Sequence, residues 1–281
     1  ALGFKKKTQV VDGYEKTILL ISSSISIEEI VISKKNNAIS QIMKLDLQNS
    51  PVNSSQEILR KVPGLFIGQH AGGGKAEQIF LRGFDIDHGT DIALSVDGMP
   101  VNMVSHAHGQ GYADLHFVIP ETLDKIDFGK GSYYANKGDF ATAGYVAFKT
   151  KEKIENSSIS LEVGKFGTIR TLGMFNLLPK NNKQTAFIAS EYITFDGPFI
   201  SSQNFRRLNL FGKFTNVLED NSKFSVTVSQ FSSEWTASGQ IPQRLVDAGI
   251  ISRFGSVDDT EGGKTSRSNL NFEYYKPISE N

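Results

Sequence analysis

His106, His108 and His116 fall within the stretch SHAHGQGYADLHF, residues 105–117, in company with Tyr112 and Asp114. Two imidazoles at a spacing of two point the same way on a strand, so His106 and His108 can meet one metal ion; Asp114 and His116 repeat the spacing. Imidazole and carboxylate together suit zinc, copper, nickel or iron. The other reading is a rigid loop in which Gly109 and Gly111 permit tight turns and the histidines hydrogen-bond to backbone or neighbouring structure. All five histidines, with His70 and His88 completing the set, lie between residues 70 and 116. Both readings stand on these residues alone.

Other stretches offer less chemistry. DIDHGTD, 85–91, carries three carboxylates and His88 but fits a polar loop between strands. AGGGK, 71–75, lacks the spaced upstream glycine and the following Ser or Thr of a phosphate loop. Neither HExxH nor GxSxG occurs, and no spaced motif places a general acid or base beside an open metal position, so a metalloenzyme is the weaker reading.

The elements that must position the histidines come from a chain of 281 residues with 26 glycines, 8 prolines and 39% hydrophobic residues. Thirty basic residues balance thirty acidic ones, which gives no electrostatic case for nucleic acid. The absence of cysteine excludes a disulfide scaffold and thiolate metal sites. The opening ALGFKKKTQVV has no secretion-signal pattern, so a signal has been removed or the chain is a fragment. No apolar run is long enough for a membrane helix, but a barrel strand is apolar only at alternate positions and escapes that test.

Three regions differ in pattern. Residues 1–33 hold two strand-like runs and too little material for a core. Residues 46–152 mix a short helix, capped by Ser54 or Ser55 and ended by Pro63-Gly64, with the strands QIFLRGF, IALSVDG, KIDFGKG and GYVAFKTK and a helix start at PETLDKI. This is an α+β pattern. Residues 157–277 carry six longer strands of clean alternation. Leu208, Leu210 and Phe214 oppose Arg207, Asn209 and Lys213; Phe224, Val226 and Val228 oppose Ser225, Thr227 and Ser229; Leu270, Phe272 and Tyr274 oppose Asn269, Asn271 and Glu273. PKNNK and EDNS are tight turns, whereas the connections at 195–205 and 236–265 are long, with a short hairpin at GKFG as the exception. A soluble antiparallel scaffold or adhesion protein also alternates, but strands of this length with turns at one end and loops at the other favour an outer-membrane barrel wall. Six strands cannot close such a barrel, and an open sheet leaves bare edges in lipid, so the chain is expected to be truncated.

The order of motifs carries a resemblance. Leu81-Arg82-Gly83, Val96-Asp97-Gly98-Met99-Pro100-Val101, Lys125-Ile126-Asp127-Phe128-Gly129-Lys130-Gly131 and Gly144-Tyr145-Val146-Ala147-Phe148-Lys149-Thr150-Lys151 follow one another as in the plug domain of TonB-dependent outer-membrane receptors, with barrel-like strands directly after. YYANKGDFATAGYV departs from that family's shorter loop. The resemblance implies an α+β plug followed by antiparallel strands of an incomplete transmembrane β-barrel. Its expected divisions are a remnant of an N-terminal carboxypeptidase-regulatory-like β-sandwich (1–25), a Ton box and linker (26–45), the plug (46–152) and the first six barrel strands (153–281).

The resemblance further implies a non-enzymatic receptor that imports a scarce nutrient, a metal chelate or similar, with energy coupled through TonB and its ExbB/ExbD complex. The expected location is the outer membrane of a Gram-negative cell, with plug and N-terminus facing the periplasm and lipid around the wall. Ile27, Glu28, Glu29, Ile30, Val31 and Ile32 look like the Ton box, an extended segment able to add itself as a strand to a partner sheet. His106, His108, Tyr112, Asp114 and His116 become candidate ligand contacts, with His106, His108 and His116 as candidate metal ligands. Arg82, Gly83, Asp97 and Gly98 are the plug motif. Arg82 and Asp97 are expected to hold the plug to the wall or to each other by charge-assisted hydrogen bonds.

Overall fold

The computed structural model describes residues 41–42, 52, 54–69, 73–87, 89–107, 109–179 and 183–278. The expected Ton box, the sandwich remnant, and His70, His88 and His108 lie outside them. The described residues belong to one compact unit, Ser40–Asn281.

Its first half is built from short strands: β1 (Gln41–Ile42), β2 (Leu65–Gly68), β3 (Gln78–Leu81), β4 (Phe84–Ile86), β5 (Ile92–Val96), β6 (Met99–Pro100), β7 (Leu123–Lys130) and β8 (Gly144–Thr150). One sheet has the order β1-β7-β8-β5-β6, with β5 and β8 parallel; β2, β3 and β4 form a smaller antiparallel sheet. Ile58, Leu59, Ile79, Leu94, Ile126, Val146 and Phe148 meet in the core between them.

Two motif positions prove to be hairpin corners. Arg82 and Gly83 have φ of 53° and 84°, and Asp97 and Gly98 have φ of 47° and 76°; each pair joins strands in which the flanking residues are partners, Leu81 with Phe84 and Val96 with Met99. Positive φ at both central residues is the two-residue turn whose twist matches a hairpin, and glycine supplies the second position without a Cβ penalty. The run QIFLRGF is therefore two strands, not one. The two expected helices are short 3-10 segments, Gln56–Lys61 of two turns and Pro120–Thr122 of one. Val62, already extended, ends the first, and Leu123 opens β7 directly after the second. Segments this short do not repay the cost of an α-helical nucleus.

The second half is a single antiparallel sheet of β9 (Ser158–Val163), β10 (Ile169–Asn176), β11 (Gln184–Phe195), β12 (Phe205–Val217), β13 (Lys223–Thr236) and β14 (Gly262–Tyr275), in sequence order. A short helix, α1 (Gln243–Asp247), lies within the long connection from β13 to β14. The polarity of the sheet is inverted relative to a soluble protein. Arg207, Asn209, Lys213, Thr215, Ser225, Thr227 and Ser229 are buried, on the face covered by the first half. Ile159, Leu161, Leu208, Leu210, Val228, Leu270 and Phe272 are exposed on the other face, Phe272 to 70%. Leu208 and Phe272 thus do not pack into a dry interior, as a soluble sandwich would require.

Candidate functional site

The histidine stretch is a loop tied at its stem. Met103 and Tyr112 form an isolated antiparallel bridge, in which the Met103 N–H donates to the Tyr112 carbonyl at 2.8 Å and the Gly111 N–H to the Met103 carbonyl at 2.7 Å. Asn102 fastens this stem to the sheet. Its Oδ1 accepts from the Leu94 N–H at 2.7 Å, and its Nδ2 lies within 3.2 Å of the carbonyls of Gly89, Ile92 and Gly111. The Asn102 carboxamide thus does the work of missing strand pairing.

At the tip, His106 is exposed and lies in an irregular stretch rather than on a strand, so the same-side argument for His106 and His108 loses its premise. The His106 ring stacks on Tyr112, with centroids 3.9 Å apart and planes 7° apart. Tyr112 is anchored from below: its hydroxyl oxygen accepts the Ala76 N–H at 3.1 Å, and burial pushes the phenol up to about 12, with Asp114 adding to the effect. Met103 and Val104, which sequence reasoning passed over, are exposed beside His106 at the tip.

His116 sits elsewhere. It is buried beneath the tip, with Nδ1 2.8 Å from Asp114 Oδ1 but its N–H not aligned on that oxygen. The Asp114 carboxylate also accepts the His116 backbone N–H at 2.7 Å and the Gln56 side-chain amide at 3.3 Å. Burial works against ionisation of Asp114, yet His116 beside it, with Arg207 adding to the effect, brings the carboxyl below its ordinary value. Wall residue Asn209 donates to the His116 carbonyl at 2.8 Å, and the His116 ring is 6.5 Å from that of Phe205 at the long-loop end of the wall. Among the described residues no three His, Asp or Glu side chains gather as a metal site requires.

Glu77 is the second buried acid here. It is 3% exposed, its Oε2 has no partner, and burial raises its pKa to about 7, with Glu57 and Asp114 adding to the rise and Arg60 opposing it. The preceding loop runs close under the wall: an added Cβ on Gly74 would lie 2.0 Å from the Trp235 ring, so only glycine fits.

Residues 32–145 match the family model described as TonB-dependent Receptor Plug Domain. Over that stretch the chain carries the plug domain of the TonB-dependent receptors, and the relatives and structures it resembles are transporters of that kind. The vitamin B12 transporter BtuB of Vibrio vulnificus (strain CMCP6) is 25% identical over 202 residues, 68% of this chain and 32% of that protein. The chain thus spans about a third of the length of the curated relatives it matches. Among solved structures, the unliganded ferric citrate transporter FecA superposes with a TM-score of 0.68 at 16% identity, over 85% of this chain and 37% of that one. The copper transporter OprC superposes with 0.60 at 16% identity, over 80% and 32%. The family is one of outer-membrane receptors and transporters, not enzymes, and its members engage TonB and a small ligand.

Among the described residues several polar contacts besides Asn209–His116 fasten the plug to the wall. Asp97 at the β5–β6 corner accepts from Thr150 N at 3.0 Å and pairs with wall Lys213 at 3.1 Å, while Lys213 also donates to Thr150 Oγ1 at 2.7 Å. Lys149 bridges the same carboxylate at 3.6 Å to wall Glu273 at 2.5 Å. Glu121, ahead of β7, receives both terminal nitrogens of wall Arg170, at 2.8 and 2.7 Å; Arg170 also meets Glu162 and Glu191, and Glu191 meets Arg207. Wall Arg267 donates to the carbonyls of Pro100 and Val101 at 2.8 and 3.2 Å, at the foot of the histidine loop, and lies 4.4 Å over the Phe117 ring. Of the expected pair, Asp97 therefore reaches the wall. Arg82 stays at its exposed corner and pairs with neither Asp97 nor the wall among the described residues.

Proposed function

We propose that this receptor binds a scarce nutrient at the cell surface and imports it with energy coupled through TonB and ExbB/ExbD, the plug gating the lumen. The observation that carries the reading is the inverted wall polarity, with serine, threonine, arginine and lysine buried against the plug and leucine, valine and phenylalanine turned outward. Only a wall with lipid outside makes that arrangement favourable. The long loops would face outward and the plug's N-terminal side the periplasm, where Ile27–Ile32 would serve as the Ton box and 1–25 as the end of a preceding β-sandwich. Plug and wall divide at about 152.

The exposed loop tip is the proposed cargo contact. His106, exposed and stacked on Tyr112, offers an aromatic surface with imidazole nitrogens; Met103 adds a soft thioether. Asp114 and His116 support the loop from within, and His108 completes the proposed contacts. This set suits a transition-metal ion or metal chelate, the class to which the ferric citrate and copper cargoes of the similar structures belong; vitamin B12, a cobalt chelate, falls in the same class. Ligand contact at the tip would shift the population of Ton-box states available to TonB.

Calorimetry of the membrane-inserted protein with metal ions and chelates, paired with uptake into cells limited for the same nutrient, tests this. The expected result is saturable binding, with uptake lost when Ile30→Pro disables strand addition by the Ton box while binding stays intact. Uptake unchanged by Ile30→Pro would overturn the coupling, and partition of the protein into the aqueous phase rather than detergent would overturn the membrane reading.

A further inference from the structure

The apolar part of the outward face reaches further toward the long-loop end on β9 and β10 than on β13 and β14, so its upper edge is diagonal. On β9 and β10 the apolar residues Ile159, Leu161, Val163 and Ile169 reach the ends nearest the β9–β10 turn. On β13 and β14 the apolar outward pairs are Phe224 with Tyr274, Val226 with Phe272 and Val228 with Leu270, at the short-turn end. Beyond them come Gln230 with Ser268, Ser232 with Ser266 and Glu234 with Lys264. A diagonal band is what tilted strands give when an apolar layer is level, since each step across a tilted sheet shifts the height. The upper outward face of β12–β14 therefore stands above the hydrocarbon, at the height of lipid headgroups.

A hollow of about 450 Å3 lies on that face. Tyr192, Leu208, Ser232 and Ser266, partners in one row across β11–β14, line it together with Arg206, Glu234 and Lys264 of the outward row next toward the long-loop end. Glu234 stands between the cations, 3.9 Å from Arg206 and 3.3 Å from Lys264, and leaves the rim with one net positive charge. We propose that this hollow holds the phosphorylated headgroup of an outer-leaflet lipid. Arg206 and Lys264 would donate to phosphate oxygens, Glu234 would accept from a headgroup hydroxyl, and the acyl chain would run down over Tyr192 and Leu208 onto the apolar band. Cations above an apolar surface suit an anionic amphiphile better than a free anion, because both parts of the ligand are met. The proposal rests on the membrane reading given above.

The protein is inserted into bilayers carrying a phosphorylated glycolipid or its dephosphorylated form, and lipid retained on extraction is counted by native mass spectrometry. The expected result is preferential retention of the phosphorylated form, reduced at least tenfold in Arg206→Gln/Lys264→Gln and increased in Glu234→Gln. Equal retention of the two lipids, equal retention by the double variant, or complete displacement by millimolar inorganic phosphate would each overturn the lipid site while leaving the receptor reading in place. Failure of the wild-type protein to insert at all would overturn both. Insertion is scored separately from retention, by protection of the wall from protease.

Discussion

Asp97 Oδ2 lies 3.1 Å from Lys213 Nζ, and both side chains are almost wholly buried at the seam between plug and wall. The hairpin corner that puts Asp97 at φ 47° also aims its carboxylate at the wall, so a turn residue and an ion-pair residue are one. The main chain takes part too, since the Asp97 carbonyl accepts from wall Asn271 at 3.0 Å. A buried charge whose partner is removed costs about 3–5 kcal/mol, whereas replacing both partners by apolar groups can be neutral. Asparagine tolerates the left-handed backbone, so Asp97→Asn removes the charge and keeps the corner. Asp97→Asn should make the plug extractable at lower urea concentration, read by protease cleavage within 92–150. Adding Lys213→Met to it should recover much of the loss. Additive losses in the two single variants and the double would show that the pair is not coupled.

Arg170 is another fastening and behaves differently, because among the described residues Glu121 is its only partner from the plug, while Glu191 and Glu162 belong to the wall. Glu121→Gln should therefore weaken plug retention and leave the wall assembled. Arg170→Ala should damage the wall itself, since among the described residues buried Glu191 would keep only Arg207 and Asn209. Arg170→Lys should not rescue, because an ammonium cannot match the two-oxygen contact to Glu121. Heat-dependent mobility of the folded barrel, compared with urea-dependent release of the plug, separates the two effects. Equal damage to the wall from Glu121→Gln and Arg170→Ala would sink this division of roles.

Much of this frame is written in the local pattern. The alternation of Leu208, Leu210 and Phe214 against Arg207, Asn209 and Lys213 gave both faces of β12, because a strand's period of two needs no knowledge of its neighbours. It even marked Lys213 as inward-facing, but not its partner, since Asp97 lies 116 residues away. The same holds for Arg170 with Glu121. The corner at Arg82-Gly83 was missed for a local reason: arginine is a rare first residue in a two-residue hairpin, where asparagine, aspartate or glycine is the usual signal. Asp97-Gly98 carried that signal openly. The four described histidine-loop candidates His106, Tyr112, Asp114 and His116 are close in sequence, but the loop leaves His106 exposed and buries His116, which spacing in an irregular loop does not encode.

Glu77 makes the stability of the plug depend on pH in an unusual direction. Its carboxyl is raised from 4.5 to about 7 in the folded protein, chiefly by burial. Between those values the folded state holds a proton that the unfolded state has lost, so stability falls as pH rises from about 4.5 to 7 and stays lower above. The penalty above pH 7 is on the order of 3 kcal/mol. Asp114, lowered in the folded state, acts the other way, with its contribution lost only as pH falls through and below the ordinary carboxylate range. Glu77→Gln should thus stabilise the plug at pH 8 and change little at pH 4.5, measured as urea midpoints at the two values. The same increment at both pH values would mean that packing, not charge, explains the variant.

The loop tip can be separated from its stem by two kinds of variant. Asn102→Ala removes a side chain that meets one backbone N–H and three carbonyls, and leaves the Leu94 N–H without its acceptor. An unsatisfied buried group costs about 1–3 kcal/mol, and the loop that carries His106 would lose its fixed position. His106→Ala with His108→Ala leaves the stem residues unchanged and removes only the two imidazoles. Both variants should weaken cargo binding, but for different reasons: Asn102→Ala through a loosened loop, with faster hydrogen exchange at Met103 and Gly111, and the double variant through lost contacts, with exchange unchanged. Barrel assembly should be unaffected in either. Wild-type uptake by the histidine double variant would return the cluster to a purely structural loop, and intact binding by Asn102→Ala would show that the tip does not depend on its stem.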